Sequence, residues 1–244
     1  MLLRRAEQDP DILAFWLGGS RGKGQATAHS DYDCGMIVSD APSDTLMRDL
    51  ADLRRRGLDL AVMTLGAFER HAAWGSPEAW DRYSYVRLKA LVDKTGRAQP
   101  LIDTKARVPA AEVASFIHAS LDHAINQAYR GLKCLRDGDA AASRLEAAEG
   151  VRPFLDATFA LHGGRLRPYY KYLDWELRAE PLSKLPVASE ALLRRLADTL
   201  EPGGAVALSR LLADCRLAFA AAGHSAAFDG WGSQLEWILT WRPS

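Results

Sequence analysis

The sequence predicts an α+β protein, with a small mixed-sheet domain at residues 1–109 followed by an all-helical bundle at residues 110–244. Two observations indicate this division. Over the first hundred residues, short apolar runs end at glycine, proline or polar residues, which is the pattern of buried strands. From Ala110 onward, apolar residues recur every three or four positions, which is the period of helices that bury one face.

Four strands and one helix are expected in the first domain. The expected strands are residues 12–17, 33–38, 58–63 and 87–93. Between the second and third strands, leucines recur at helical spacing from Ser43 to Arg56. Strands that alternate with helical segments indicate a sheet that is covered by helices.

The second domain is expected to be a bundle of helices. Its first helix carries one apolar stripe from Val113 to Leu135 and ends at Gly138-Asp139. Five further helices are expected at 140–162, 168–178, 188–200, 204–222 and 231–241. Glycine and proline residues separate these segments, as they do between the helices of a bundle.

The composition is that of an ordinary globular protein. Of 244 residues, 48% are hydrophobic and 25% are charged. Basic and acidic residues both number 31, so no overall positive field favours a nucleic-acid partner. The three cysteines are too widely spaced to suggest a zinc site or a disulfide framework. Because we find neither a signal peptide nor an apolar span of about 20 residues, we expect a cytoplasmic location and no membrane partner.

A glycine-rich segment follows the first strand. It reads Gly18-Gly19-Ser20-Arg21-Gly22-Lys23-Gly24. A glycine pair lets the backbone approach phosphate oxygens, and its N–H groups and the Ser20 hydroxyl can donate to them. Arg21 and Lys23 are expected to add positive charge next to the phosphates.

Three aspartates are expected to converge near this segment. Alternation along the second strand would place Asp31 and Asp33 on the same face, and Asp59 lies near the start of the third strand. Like charges placed together are unfavourable unless a cation lies between them. Magnesium prefers oxygen ligands, so the pattern predicts a Mg²⁺ site that also holds a triphosphate.

With these residues in this order, residues 12–63 resemble the DNA polymerase beta-like nucleotidyltransferases. The shared pattern is Gly19-Ser20, ten intervening residues, the pair Asp31 and Asp33, and the later Asp59. The resemblance implies that Asp31 and Asp33 hold two magnesium ions, that Asp59 serves the catalytic ion, and that Gly19 and Ser20 bind the terminal phosphates of a nucleoside triphosphate such as ATP.

The order of the two domains is similar to the small-molecule branch of that family, the aminoglycoside (kanamycin-type) and lincosamide nucleotidyltransferases. Residues 92–96 and 168–173 add to this likeness. It implies a nucleotidyltransferase domain followed by an acceptor-binding bundle, a small-molecule hydroxyl as the acceptor, a role in antibiotic resistance, and contact of Lys171 with the phosphates.

Each of these residues also has an ordinary structural interpretation. The glycine pair alone is more often a plain turn, Asp31 alone could cap a turn, and Asp33 could pair with a lysine. Asp59 could be an acidic residue at the start of an exposed strand, and Lys171 a solvated helix residue. The functional interpretation is favoured because all parts occur in the right order at the expected strands.

Two acidic residues of the bundle are candidates for the general base that deprotonates the acceptor. Glu146 and Glu149 fall on the polar side of a helix, where a solvated face is the alternative interpretation. His118, Asp122 and His123 are interpreted as a decorated helix and not as a metal site.

The sequence therefore predicts a Mg²⁺-dependent transfer of a nucleoside monophosphate to a hydroxyl of an aminoglycoside or lincosamide antibiotic. Two alternatives stay open: a protein adenylyltransferase of a toxin–antitoxin type pair, and a nucleotide-binding protein without catalysis. The oligomeric state is not determined, and a homodimer is compatible with the sequence.

Overall fold

The computed structural model describes residues 2–56 and 58–242. Two compact units divide the chain, Met1–Arg107 and Val108–Ser244. The first unit contains strands and helices, and the described part of the second is helical. The predicted α+β class, a mixed sheet followed by helices, is confirmed.

The first unit is built on a mixed sheet. In the described part of the chain the sheet has four strands, in the order β3-β2-β1-β4. They are β1 Ile12–Leu17, β2 Asp33–Val38, β3 Asp59–Thr64 and β4 Ala90–Asp93. β1 is antiparallel to both β2 and β4, whereas β2 and β3 are parallel. β4 begins three residues later than expected because Arg87 has a left-handed backbone, with φ of 62°, which is incompatible with a strand.

Helices cover both faces of the sheet. They are α1 Leu2–Gln8, α2 Gly19–Gly22, α3 Asp44–Arg55, α4 Leu65–Arg70 and α5 Ala98–Lys105, with a 3-10 helix at Pro77–Tyr85. Only α3 was expected, because the others are too short for their apolar spacing to show a helical period.

The two sheet faces have separate cores. Cys34, Met36 and Val38 of β2 pack with residues of α1 and α3, including Ala6, Leu46 and Leu50. Ile37 points to the other face, where Trp16 packs with α4, α5 and the 3-10 helix through Phe68, Ile102 and Tyr85. Because side chains alternate along a strand, Asp33 and Gly35 share this second face with Ile37.

Helix α3 forms the crossover that allows β2 and β3 to be parallel. Its N-cap is Ser43, whose hydroxyl accepts from the Leu46 N–H at 3.3 Å. Leu46 and Leu50 are buried one helical turn apart, so one side of α3 is fixed on the first sheet face. Each such buried leucine stabilises the unit by about 1.5–3 kcal/mol.

Two buried cations join the helices on the second face. Arg82 and Lys105 donate to backbone carbonyls at or just after the ends of α4 and α5, those of Glu69, His71, Ala72, Thr104 and Arg107. Burial lowers the pKa of both side chains. A cation at a helix C-terminus satisfies carbonyls that have no partner within the helix.

The described part of the second unit contains seven α-helices. They are α6 Val113–Arg136, α7 Ala140–Leu161, α8 Tyr170–Ala179, α9 Ser189–Asp198, α10 Gly204–Ala221, α11 Ala226–Asp229 and α12 Ser233–Thr240. α11, a single turn, was not expected. α6 packs along α7, and α10 packs against both. Gly131 of α6 and Gly150 of α7 allow this close packing, since a methyl group there would meet Ala205 and Leu208 of α10 at 2.8 and 2.3 Å.

None of the described helices is long and apolar enough to cross a membrane.

We expect Gly35→Ala to lower the free energy of unfolding by about 1–3 kcal/mol. Gly35 pairs with Trp16, and an added methyl group would lie 2.0 Å from the Trp16 ring, so the indole must move. Gly66→Ala on α4 is the control: its nearest neighbour would be at 3.7 Å, and alanine favours a helix over glycine. Urea unfolding followed by circular dichroism compares the two. Equal unfolding midpoints would show that the Trp16–Gly35 contact is not tight.

Candidate functional site

The glycine-rich segment forms a short helix directly after β1. The Gly18 N–H donates to the Asp33 carbonyl at 2.7 Å, and the Gly22 N–H donates to the Gly18 carbonyl at 2.7 Å. The start of α2 is therefore hydrogen-bonded to the first residue of β2. The glycine-rich segment therefore contains a single helical turn.

Gly19 lies against the side chain of Asp33. A methyl group on Gly19 would be 1.6 Å from Asp33 Oδ2, so this carboxylate occupies space that only a glycine leaves open. Gly19 also has φ of 55°, a left-handed conformation that favours glycine. Contact and conformation therefore both require glycine at this position.

Asp33 and Asp59 are neighbours in the sheet. Each is the first residue of its strand, and they pair in the parallel register of β2 and β3. Side chains at paired positions point to the same face, and adjacent strands are about 4.8 Å apart. Asp33 is half-buried and Asp59 is exposed, so solvent reaches the end of the sheet at which β2 and β3 begin.

The charges of both carboxylates affect the pKa of the buried Cys34 thiol. Burial raises the pKa of Cys34, and the charges of Asp33 and Asp59 raise it further. The negative potential of the two side chains therefore reaches the same point in the protein.

Asp31 lies outside β2. The strand begins at Asp33, and Asp31 is exposed in the preceding connection. Strand alternation therefore does not set the side-chain direction of Asp31, and the expected alignment of Asp31 with Asp33 stays a prediction. A role for Asp31 in metal binding stays a prediction, since its side-chain direction is set by the connection and not by the sheet.

Ser20 and Arg21 both contact the residues before β2. The Ser20 hydroxyl donates to Ser30 Oγ at 2.8 Å. Arg21 donates from Nε to the Asp31 carbonyl at 3.0 Å and from Nη2 to the Ser30 carbonyl at 2.7 Å. Ser30 was not recognised from the sequence, although its Oγ also accepts from the Thr27 N–H at 2.8 Å, a local pattern that is typical of serine in turns.

Lys23 reaches in another direction. Its ammonium group donates to the carbonyls of Tyr83 and Val86, and it lies 4.8 Å from the centroid of the Tyr83 ring. Lys23 thus joins the glycine-rich segment to the end of the 3-10 helix. The predicted contact of Lys23 with phosphates would have to compete with these carbonyls.

The other predicted residues belong to the second unit. Glu146 and Glu149 both lie on α7, and Glu146 Oε1 accepts from Nε and Nη2 of Arg130. Glu149 is exposed. Lys171 is exposed on α8, with its ammonium 4.9 Å from the centroid of the Tyr172 ring.

His118, Asp122 and His123 are exposed on α6. Asp122 accepts from Trp231 Nε1 at 3.0 Å, and the His123 ring contacts Gln127 at 3.3 Å. Within residues 2–56 and 58–242, no three His, Cys, Asp or Glu side chains form a group that could hold a metal ion.

The Asp33–Asp59 pair offers carboxylate oxygens, the type of ligand that a hard divalent cation prefers. Both ligands are carboxylates at paired positions, and the Gly19 backbone leaves room for the Asp33 side chain. Magnesium is commonly bound by one or two carboxylates, with phosphate oxygens and water as its other ligands.

Comparison with known proteins gives a weak likeness. No protein-family model matches the sequence, and no curated protein is significantly similar to it. Among solved structures, the chain is similar to a nucleotidyltransferase-like protein from Exiguobacterium sibiricum, with 12% sequence identity and a TM-score of 0.41. The similarity covers 93% of this chain and 76% of that chain. At this TM-score the functional assignment depends on the residues of the site themselves.

We expect Gly19→Ala to destabilise the protein more than Gly24→Ala. Both glycines have a positive φ, so each alanine carries a strain of about 1–2 kcal/mol. A methyl group on Gly24 meets nothing within 4 Å, whereas one on Gly19 must displace the Asp33 carboxylate, which adds about 1–3 kcal/mol. Urea unfolding of the two variants measures the difference. Equal stabilities would contradict the close contact between Gly19 and Asp33.

Proposed function

We propose that this chain is a magnesium-dependent nucleotidyltransferase that transfers a nucleoside monophosphate from a triphosphate to a hydroxyl group of a small molecule. The observation that carries the proposal is the pairing of Asp33 with Asp59 at the edge of two parallel strands, next to the glycine-rich segment. Paired carboxylates suit a divalent cation, and a glycine-rich backbone suits phosphate oxygens.

Ser20 is the proposed contact to the terminal phosphates. A hydroxyl group both donates and accepts, so Ser20 can turn its proton from Ser30 to a phosphate oxygen while it accepts from another group. Gly19 and Ser20 add backbone N–H groups close to the Asp33 carboxylate. The phosphates would thus lie beside the metal ligands.

Asp33 and Asp59 are the proposed magnesium ligands, and Asp31 is a further candidate from the connection before β2. Bound Mg²⁺ would neutralise charge on the transferred phosphoryl group and on the leaving pyrophosphate. The protein side chains would orient the triphosphate so that the bond to be broken faces away from the acceptor.

The reaction itself exchanges one phosphorus–oxygen bond for another. The acceptor oxygen forms a bond to the α-phosphorus while the bond from that phosphorus to the pyrophosphate oxygen breaks. The proton of the acceptor hydroxyl passes to a carboxylate base. Glu149 is favoured over Glu146 for this role, because Arg130 already donates twice to Oε1 of Glu146.

An aminoglycoside or lincosamide is the proposed acceptor, with the helical unit as its proposed binding domain. This part depends on the resemblance in domain order. Incubation of the protein with each of the four common triphosphates and a panel of such antibiotics tests it. Labelling of a protein in place of an antibiotic would instead favour protein adenylylation, and binding of nucleotide without transfer would favour a non-catalytic protein.

We expect a triphosphate with Mg²⁺ to raise the melting temperature, and Asp33→Asn to abolish this shift together with transfer, since the variant loses a ligand charge. Asp59→Asn should keep the shift but lower transfer about 100-fold or more if Asp59 acts only on the ion that activates the acceptor. Asp40→Asn, an exposed residue after β2, is the control for charge removal. Thermal-shift and labelled-triphosphate assays measure both. Undiminished transfer in Asp33→Asn would refute the assignment.

We expect Glu149→Gln to lower turnover about 100-fold while triphosphate binding stays unchanged, because the amide cannot accept the proton. Glu146→Gln should change turnover little and stability by less than about 1 kcal/mol, since its partner Arg130 is exposed. If neither variant is slowed, α7 does not supply the base, and Asp93 becomes the next residue to test.

A further inference from the structure

Residues 25–32, the connection between the glycine-rich segment and β2, cannot be held in place by burial. They form neither helix nor strand, and all except Ser30 are exposed. A connection with so little buried surface is ordered by hydrogen bonds or not at all. This connection carries Asp31 and leads directly into Asp33.

A single side chain contacts three consecutive residues at the end of this connection. Arg21 donates to the carbonyls of Ser30 and Asp31, at 2.7 and 3.0 Å, and its guanidinium carbon lies 4.1 Å from the centroid of the Tyr32 ring. Tyr32 is 53% exposed, and the guanidinium packs on its ring. Two hydrogen bonds and one cation–π contact thus converge from one residue.

Arg21 is itself firmly anchored. It lies on α2, whose start is tied to β2 by the hydrogen bond from the Gly18 N–H to the Asp33 carbonyl. At the other end of α2, Gly22 lies so close to Leu17 that a methyl group there would be 2.1 Å from the Leu17 carbonyl oxygen. Because α2 is fixed to the sheet, the Arg21 guanidinium can hold the exposed connection in a fixed position.

We propose that Arg21 is a positioning residue that holds residues 30–32, and with them Asp31, beside the Asp33–Asp59 pair. The inference deepens the proposed function, on which its catalytic part depends. It differs from the expectation that the charge of Arg21 acts on the phosphates, which stays a prediction. The hydrogen bond from Ser20 to Ser30 belongs to the same arrangement, since Ser30 is held by Arg21 through its carbonyl.

Only the shape of arginine suits this role. Its planar guanidinium presents several N–H groups in fixed directions and stacks on an aromatic ring, whereas lysine carries one compact charge. A phosphate ligand can often be replaced by lysine, because the charge is kept. The substitution Arg21→Lys therefore separates positioning from charge.

The test compares Arg21→Lys and Arg21→Ala with the wild-type chain, and Arg48→Lys on α3 is the control. Hydrogen exchange is measured at the amides of Gln25, Thr27, His29 and Ser30, whose hydrogen bonds depend on the order of the connection. Both Arg21 variants should exchange about tenfold faster or more at these amides, and Arg48→Lys should not. This readout needs no catalytic activity.

Kinetics provide the second readout. Both Arg21 variants should lower kcat about tenfold or more with little change in KM for the triphosphate, and added guanidinium ion should partly restore Arg21→Ala but not Arg21→Lys. Wild-type exchange in Arg21→Lys, with a raised KM alone, would overturn the proposal and return Arg21 to phosphate binding. If the wild-type chain transfers no nucleotide, the proposed function fails. Hydrogen exchange still tests the positioning role in that case: faster exchange in the Arg21 variants supports it, and unchanged exchange contradicts it.

Discussion

The parallel pairing of β2 with β3 sets the separation of Asp33 and Asp59. Because side chains alternate along a strand, a shift of one residue in the register would turn Asp59 to the opposite face, where Leu60 now packs in the core. Helix α3 opposes such a shift, since Leu46 and Leu50 are buried on that opposite face. The apolar core on one side of the sheet thereby fixes the arrangement of carboxylates on the other side.

The charges around this arrangement bear on whether the proposed triphosphate would bind alone or together with a cation. The two basic residues of the glycine-rich segment donate to backbone carbonyls, Arg21 before β2 and Lys23 at the end of the 3-10 helix. Burial raises the pKa of Cys34, and the negative charges of Asp33 and Asp59 raise it further. Under the proposed function, we therefore expect the triphosphate to bind as its complex with a divalent cation, since a bare triphosphate would be repelled by this potential.

The sequence predicted the parts of the fold and site that depend on residue type. β1 and β2 were recognised because each is a continuous apolar run, and the glycine and aspartate residues because their chemistry is specific. The directions of Arg21 and Lys23 were not predictable, because their acceptors are backbone carbonyls, which any residue supplies. The side-chain direction of Asp31 could not be derived from strand alternation, because Asp31 lies in the connection before β2, which begins at Asp33 as expected.

The distribution of the three cysteines makes the chain suited to selective labelling. Burial raises the pKa of Cys34, and it raises that of Cys215 to about 12, so both thiols are shielded and stay protonated near neutral pH. Cys134, on α6, is partly exposed. A thiol-reactive fluorophore would therefore attach mainly to the helical unit, and the unmodified chain already carries a single reporter position for spectroscopy.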